Sequence, residues 1–188
     1  MTKTLKDLPS VLLLIDIDST VSNTEHREHF LDQKPKDWVS FFHACDGDAP
    51  ILEMILTLKK HIDNQDTSEF KYFFLTGRSG YPEVKEKTKE WLDGIGFDGD
   101  RVIYRHPKRF ERSYVYKVNA LQKYLSNHNP NPDLNVIIID DDEKVIEKFK
   151  ELGHITVQVN TANYKETANE IDTLLSSLLT TSKKSMPN

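Results

Sequence analysis

The sequence predicts an α/β protein: a parallel sheet of about five strands with helices on both faces. Three observations predict it. Short apolar runs alternate with longer segments of helical periodicity along the chain. The runs ending at Ile15, Leu75 and Ile139 pass directly into polar residues. The chain has 188 residues, enough for one domain with a substantial core and too few for two ordinary ones.

Val11 to Ile15 is the first strand candidate, and so short an unbroken apolar run reads as buried on both faces. Asn23 to Leu31 and Lys36 to Ala44 each suit a short helix, with Asp32-Gln33 and Pro35 favouring a break between them. They make a small helical insert after strand one, bounded as 22–48. Ala49-Pro50 opens a helix through about His61, with Ile51, Ile55, Leu58 and Ile62 at core-facing spacing. Phe70 to Leu75 is the second strand, and a helix from about Pro82 to Ile95 follows, stopped by Gly94 and Gly96. Val102 to Tyr104 is a short third strand and Tyr114 to Leu125 the next helix. Asn135 to Ile139 is the fourth strand, with Glu143 to Leu152 as its helix and Gly153 after it. Ile155 to Val159 makes a fifth strand and Thr161 to Leu179 a closing helix. Residues 1–179 therefore read as one domain, and 180–188 as a disordered tail.

No apolar stretch approaches the length that spans a bilayer, and Met1 to Ser10 lacks a signal-type apolar segment. No membrane association and a cytoplasmic location are the expectation. The single Cys45 forms no internal disulfide, agrees with a reducing compartment, and has nothing nearby that predicts a reactive thiolate. A formal charge of −5 argues against coating long nucleic acid with the whole surface. It leaves room for a local basic site. Arg105, His106, Lys108, Arg109, Arg112 and Lys117 lie close together, interleaved with Tyr104, Phe110, Tyr114 and Tyr116. Such a stretch can grip phosphates and stack a base; a solvated loop leading to a helix with buried aromatics is the simpler and favoured reading.

The most informative junction is Asp16-Ile17-Asp18-Ser19-Thr20, directly after the first strand. Side chains two apart on a strand point the same way, so Asp16 and Asp18 are expected to emerge together at its end. Ligands of open α/β sheets bind at the carboxyl ends of strands. Two carboxylates held there repel unless a cation or proton intervenes, which suits a bound magnesium ion and two acids with separate tasks. Alone, the pentapeptide fits an Asp-rich turn as well. The other strand ends add Thr76-Gly77-Arg78-Ser79 and Asp140-Asp141-Asp142, with Lys117 between them in the sequence.

A carboxylate pair, a Thr, a Lys and an acidic pair in this order resemble the four motifs of the haloacid dehalogenase-like phosphohydrolases, over Leu12 to about Asp142. The KPKDWVSFF and DGDAPI stretches look most like the phosphatase domain of bacteriophage polynucleotide kinase-phosphatases. The resemblance implies a Rossmann-like sheet and a phosphoric monoester hydrolase. Asp16 would be the nucleophile, forming an aspartyl-phosphate, and Asp18 the acid and then the base. Thr76 would bond a phosphate oxygen, and Lys117 would neutralise charge on nucleophile and phosphate. The implied cofactor is Mg2+, on Asp16, Asp141 and the main-chain carbonyl of Asp18, with Asp140 orienting its neighbours or binding through water. Asp142 suits a helix cap before Glu143. Arg27, eleven residues after Asp16, and Arg78 match arginines of that phosphatase family and would contact substrate. Many members have Gly where this chain has Ser19, and Ser restricts the turn that Gly eases.

His26 and His29 are expected on a helix surface, since no further soft ligand stands at zinc-site spacing. Trp38, Phe41 and Phe42 share one helix face, to pack the core or to wall a binding site. No GxxxxGK[ST] loop occurs, so no kinase half is expected in the chain. The partner implied is a phosphorylated substrate: a terminal 3′-phosphate of DNA or RNA, or a nucleotide. A phosphatase of small sugars or free nucleotides is the first alternative. A non-catalytic phospho-receiver is the second, although its acidic pair follows the first strand, whereas here the pair comes last.

Overall fold

The computed structural model describes residues 10–65, 70–128 and 133–184. Among these, a main sheet holds five strands in the order β5-β4-β1-β6-β7. They are β1 (Val11–Ile15), β4 (Phe70–Ser79), β5 (Val102–Arg105), β6 (Asn135–Asp140) and β7 (Ile155–Gln158), and every pairing is parallel. Two further two-residue strands, β2 (Ser22–Asn23) and β3 (Ala49–Pro50), pair antiparallel.

The alternation of side chains along β1 builds two cores. Val11, Leu13 and Ile15 face one side and pack with Leu58 of α2 (Leu52–Ile62) and Ile171 of α6 (Tyr164–Lys184). Leu12 and Leu14 face the other, with Leu121 of α4 (Ser113–His128) and Phe149 of α5 (Glu143–Glu151). All five β1 residues are buried, as the unbroken apolar run requires. Each fully buried Leu there contributes about 1.5–3 kcal/mol.

The remaining helix of the α/β alternation, α3 (Pro82–Gly94), starts on Pro82, whose missing N–H costs nothing at a helix start. It ends before Gly96, and α5 before Gly153; both glycines take the left-handed backbone that a helix end favours, at φ +85° and +82°.

Several boundaries differ from the sequence reading: Ala49-Pro50 pairs as β3 instead of opening α2, β4 continues past Leu75 to Ser79, and α4 extends to His128. Asn23 to Leu31 forms a 3-10 turn over Glu25–Leu31 with no side-chain cap, and its buried residue is Arg27 rather than an apolar stripe. The next helix shortens to α1 (Trp38–His43), capped by Asp37, which accepts the Ser40 N–H at 2.9 Å. The final helix continues to Lys184, because no Gly or Pro interrupts the chain between Asn163 and Pro187. The tail from 185 on, and residues 1–9, lie outside the described residues. The β2–β3 ribbon joins the two ends of the insert at its base, pairing Ser22 with Pro50 and Asn23 with Ala49.

Chain order sets the site. From β1 the chain moves to β4 and β5 on one side, then returns to β6 on the other. The crevice at such a reversal, at the carboxyl ends of the strands, is where open α/β sheets place ligands.

Candidate active site

Register brings the acids together. Ile15 pairs with Ile139, and the Asp16 N–H donates to the Ile139 carbonyl at 2.9 Å, so Asp16 and Asp140 are next in line on adjacent strands. Both continue the face of Leu12, Leu14 and Ile138, the side on which α4 packs. Lys117, in the second turn of α4, reaches between them. Its Nζ lies 2.6 Å from Asp140 Oδ2 and 2.9 Å from Asp16 Oδ1, with all three side chains buried.

Asp141 completes a cluster in which one oxygen from each of Asp16, Asp140 and Asp141 lies within 4.8 Å of the others. Hard carboxylate oxygens at that spacing suit Mg2+. Asp16 Oδ1 supports the fit further: despite the charge contact with Lys117, it is buried and has no hydrogen-bond partner among the described residues. The charges are also out of balance. Burial pushes the Asp16 carboxyl well up; Lys117 opposes the rise, and the charges of Asp140, Asp141 and Asp18 add to it. Asp140 is raised by burial against the pull of Lys117. Burial, then the Asp140 charge, pushes Asp141 up to about 6. Burial works against the Lys117 ammonium, yet Asp140 and Asp16 outweigh it and hold the lysine charged. One lysine faces three acids, a deficit that a divalent cation would fill. Asp142 caps α5, accepting the Lys144 N–H at 2.9 Å, and donates its own N–H to Asp140 Oδ1 at 3.0 Å.

Asp18 departs from simple strand geometry. The strand ends at Ile15, and the chain turns tightly, with the N–H groups of Thr20, Val21 and Ser22 all directed at the Ile17 carbonyl. Ser19, at the position where Gly was noted as common, takes φ +58°. Asp18 Oδ1 then receives Arg27 Nη2 at 2.6 Å and Arg78 Nη2 and Nε at 2.7 and 2.9 Å. Burial alone would raise this carboxyl, but Arg78 and Arg27 overcome it and lower it to about 2.

Asp16, Asp18, Lys117, Asp140 and Asp141 line one cavity of about 580 Å3, together with Gly77 of β4. Thr76 is fully buried beneath that surface, where its hydroxyl accepts the Arg78 N–H at 3.1 Å and keeps its own hydrogen to donate. Arg27 and Arg78 were expected to reach substrate. Both are instead fully buried and line no part of this cavity. A buried guanidinium needs carboxylates, and these two find Asp18 and Asp48.

Asp48 is the residue that sequence reasoning missed. It accepts Arg27 Nε at 2.6 Å and Nη2 at 2.7 Å, and Arg78 Nη2 at 2.7 Å. His26, read as a surface residue, also reaches it at 2.9 Å while 42% of its side chain stays exposed. Ser22 and Thr88 complete the arginine network, each accepting from Arg78, at 3.2 and 3.1 Å. The available signal was two arginines flanking an Asp-rich end of the insert. The aromatic trio divides: Phe41 is buried beneath Arg27, whose guanidinium carbon lies 4.1 Å from the ring centre, whereas Trp38 is half exposed. Cys45 is buried 3.7 Å from the Thr88 hydroxyl, away from solvent.

No protein-family model matches the chain, and no curated protein does. Solved structures do. A chain of the Pnkp1/Rnl/Hen1 complex aligns with 81% of this chain and 46% of its own length, at 20% identity and a TM-score of 0.59. A chain of the Pnkp1/Rnl/Hen1 RNA repair complex aligns with 81% of this chain and 43% of its own, at 22% identity and a TM-score of 0.59. A HAD family hydrolase from Salmonella enterica subsp. enterica serovar Typhi covers 80% and 68%, at 14% identity and a TM-score of 0.42. This chain thus spans less than half the length of the repair-complex chains it matches. The resemblance read from the motifs is borne out at the level of architecture: the chain has the α/β fold found in chains of the Pnkp1/Rnl/Hen1 complex.

Proposed function

We propose that this chain is a magnesium-dependent phosphomonoesterase acting through an aspartyl-phosphate, on 3′-phosphate ends of polynucleotides or on nucleotides. The observation that carries the reading is the convergence of Asp16, Asp140, Asp141 and Lys117 from three separate elements on one cavity. A buried ion pair that serves the fold alone does not need three carboxylates and one lysine lining an open cavity; a phosphoryl-transfer site does.

Asp16, Asp141 and the main-chain carbonyl of Asp18 would hold the ion, with Asp140 steadying the set. When bound, Mg2+ would neutralise charge on the phosphoryl oxygens. Asp16 attacks phosphorus, forming a P–O bond to its carboxylate as the bond to the leaving oxygen breaks. Lys117 sits against Asp16 and offsets charge on nucleophile and phosphate. Thr76 lies buried beneath the lining at Gly77, and it would donate its hydroxyl hydrogen to a phosphate oxygen only if the phosphate reaches below that surface. Asp18 gives a proton to the leaving oxygen and afterwards takes one from the attacking water, which releases phosphate and restores Asp16.

The arginine pair bears on that proton. In the resting site Arg27 and Arg78 keep Asp18 ionised, ready as a base. A phosphate bound beside it adds like charge and raises its proton affinity, as the first step needs. Arg27 and Arg78 therefore act on substrate through Asp18, positioning it rather than gripping phosphate. The insert at 22–48 serves as a small cap on a single domain, and the chain works as a cytoplasmic protein.

Phosphate release tests the proposal, measured with a 3′-phosphorylated oligonucleotide, a 3′-nucleotide and a sugar phosphate, with Mg2+ or a chelator. Magnesium-dependent release from the first two is expected. Turnover of the sugar phosphate alone would move the assignment to the small-molecule class. No release from any of them would leave a phospho-receiver or binding module.

A further inference from the structure

A second cavity, of about 460 Å3, opens beside the first, and Trp38, Phe42, Arg105 and Ser113 line both. That volume accommodates a ligand of nucleoside size. Its walls are aromatic and cationic. Trp38 and Phe42 are stacked, with ring centres 5.9 Å apart and planes at 27°. Phe110 is 90% exposed and Tyr81 half exposed in the same lining. Large rings gathered in water around one groove mark an interaction surface rather than a folding requirement.

The polar groups narrow the choice of occupant. Arg105, Arg109 and Arg112 share this lining with a single acid, Glu111, whose carboxylate is 3.4 Å from Arg109. Two buried polar atoms here, Ser79 Oγ and Arg105 Nε, have no hydrogen-bond partner among the described residues. Ser79 and Arg105 are register partners across β4 and β5, so both orphaned groups lie at one place, where the two cavities meet. An apolar peptide or a second copy of the chain would cover the rings and leave these cationic groups unmatched. A nucleic-acid strand supplies flat bases for the rings and phosphodiesters for the arginines.

Building on the phosphatase reading, we infer that this groove holds the nucleosides next to the terminal phosphate of a single strand. Bases stack against Trp38 and Phe110, and Arg105 meets the phosphodiester that links them to the reacting end. Paired bases cannot open their faces to these rings, so the groove selects unpaired ends.

Binding and catalysis are read separately. Fluorescence anisotropy follows a labelled hexathymidylate with a 3′-hydroxyl, which offers nothing to hydrolyse; phosphate release is measured on a small aryl phosphate. The wild-type chain is expected to bind the oligonucleotide with an affinity that falls as salt rises. Phe110→Ala should weaken binding about tenfold, the loss of one stacked base. Arg109→Ala with Arg112→Ala should weaken it and flatten the salt dependence. Phe110 is nearly all in solvent, so its variant keeps the wild-type circular dichroism. Absence of wild-type binding, or equal affinity in Phe110→Ala, overturns the groove even if the aryl phosphate is hydrolysed. Self-association lost in Phe110→Ala, without oligonucleotide affinity, assigns the surface to a second copy and overturns it too. Oligonucleotide binding as expected, with the aryl phosphate untouched, supports the groove and counts against the phosphatase.

Discussion

Arg27 grips Asp48 through two hydrogen bonds, Nε to Oδ1 at 2.6 Å and Nη2 to Oδ2 at 2.7 Å, and both side chains are fully buried. Arg78 shares the same Oδ2 at 2.7 Å. Asp48 thus anchors both guanidiniums that face Asp18. Removing one partner of a buried pair strands the other charge, at a cost of about 3–5 kcal/mol. Asp48→Asn should lose about that much stability in urea denaturation. A loss below about 1 kcal/mol, the scale of a surface pair, would show that the bridge contributes little to the fold.

Ser19 holds a left-handed backbone at φ +58°; its N–H donates to the Ser22 carbonyl at 2.8 Å, and its side chain contributes a 3.3 Å hydroxyl contact with Thr24. Ser19→Gly removes a steric cost of about 1 kcal/mol and gives part of it back as unfolded-chain freedom. The variant should be slightly more stable, with a thermal midpoint above wild type. A lower midpoint would mean that the contact with Thr24 outweighs the strain.

Mg2+ should stabilise the folded chain, because the unfolded chain does not assemble Asp16, Asp140 and Asp141. At one hundred times its dissociation constant a ligand contributes about 2.7 kcal/mol. Differential scanning fluorimetry should show a rise in midpoint with Mg2+ that disappears in Asp141→Asn. An equal rise in that variant would place the ion elsewhere.

Asp141 sets a pH dependence for the metal-free chain. Its folded carboxyl titrates at about 6, above the ordinary 3.8, so the fold binds this proton more tightly than the unfolded chain. The resulting stabilisation is complete below pH 3.8 and is lost as pH rises through 6. With a chelator present, wild type should lose stability relative to Asp141→Asn across that window, by urea midpoints at successive pH values. Parallel curves would show that Asp141 is not held in this environment.

The strand ends were legible in the sequence because β1, β4 and β6 are each a short apolar run passing straight into polar residues. Burial on both faces fixes such strands, and the alternation of strand and helix fixes their direction, so the approach of Asp16 to Asp140 follows. Lys117 was legible by its order in the motifs. The partners of Arg27 and Arg78 were not. Sequence shows that a guanidinium suits a phosphate, but which carboxylate intercepts it depends on how the insert folds back, and Asp48 does so from 21 and 30 residues away. The path of Asp18 was hidden for a related reason. Two residues apart means one face only while the strand lasts, and the turn at Ser19 ends that rule. In Trp38, Phe41 and Phe42, helical spacing identified a shared face without telling which ring would meet Arg27 and which would meet water.

The covalent role of Asp16 is the centre of the account, and acid-quenched peptide mass spectrometry during turnover of a phosphorylated substrate with Mg2+ addresses it directly. One phosphoryl group should appear on the peptide carrying Asp16, and both label and turnover should vanish in Asp16→Asn, the rate falling by about a thousandfold or more. Full magnesium-dependent turnover by Asp16→Asn, with no phosphoryl group on that peptide in wild type, would contradict it.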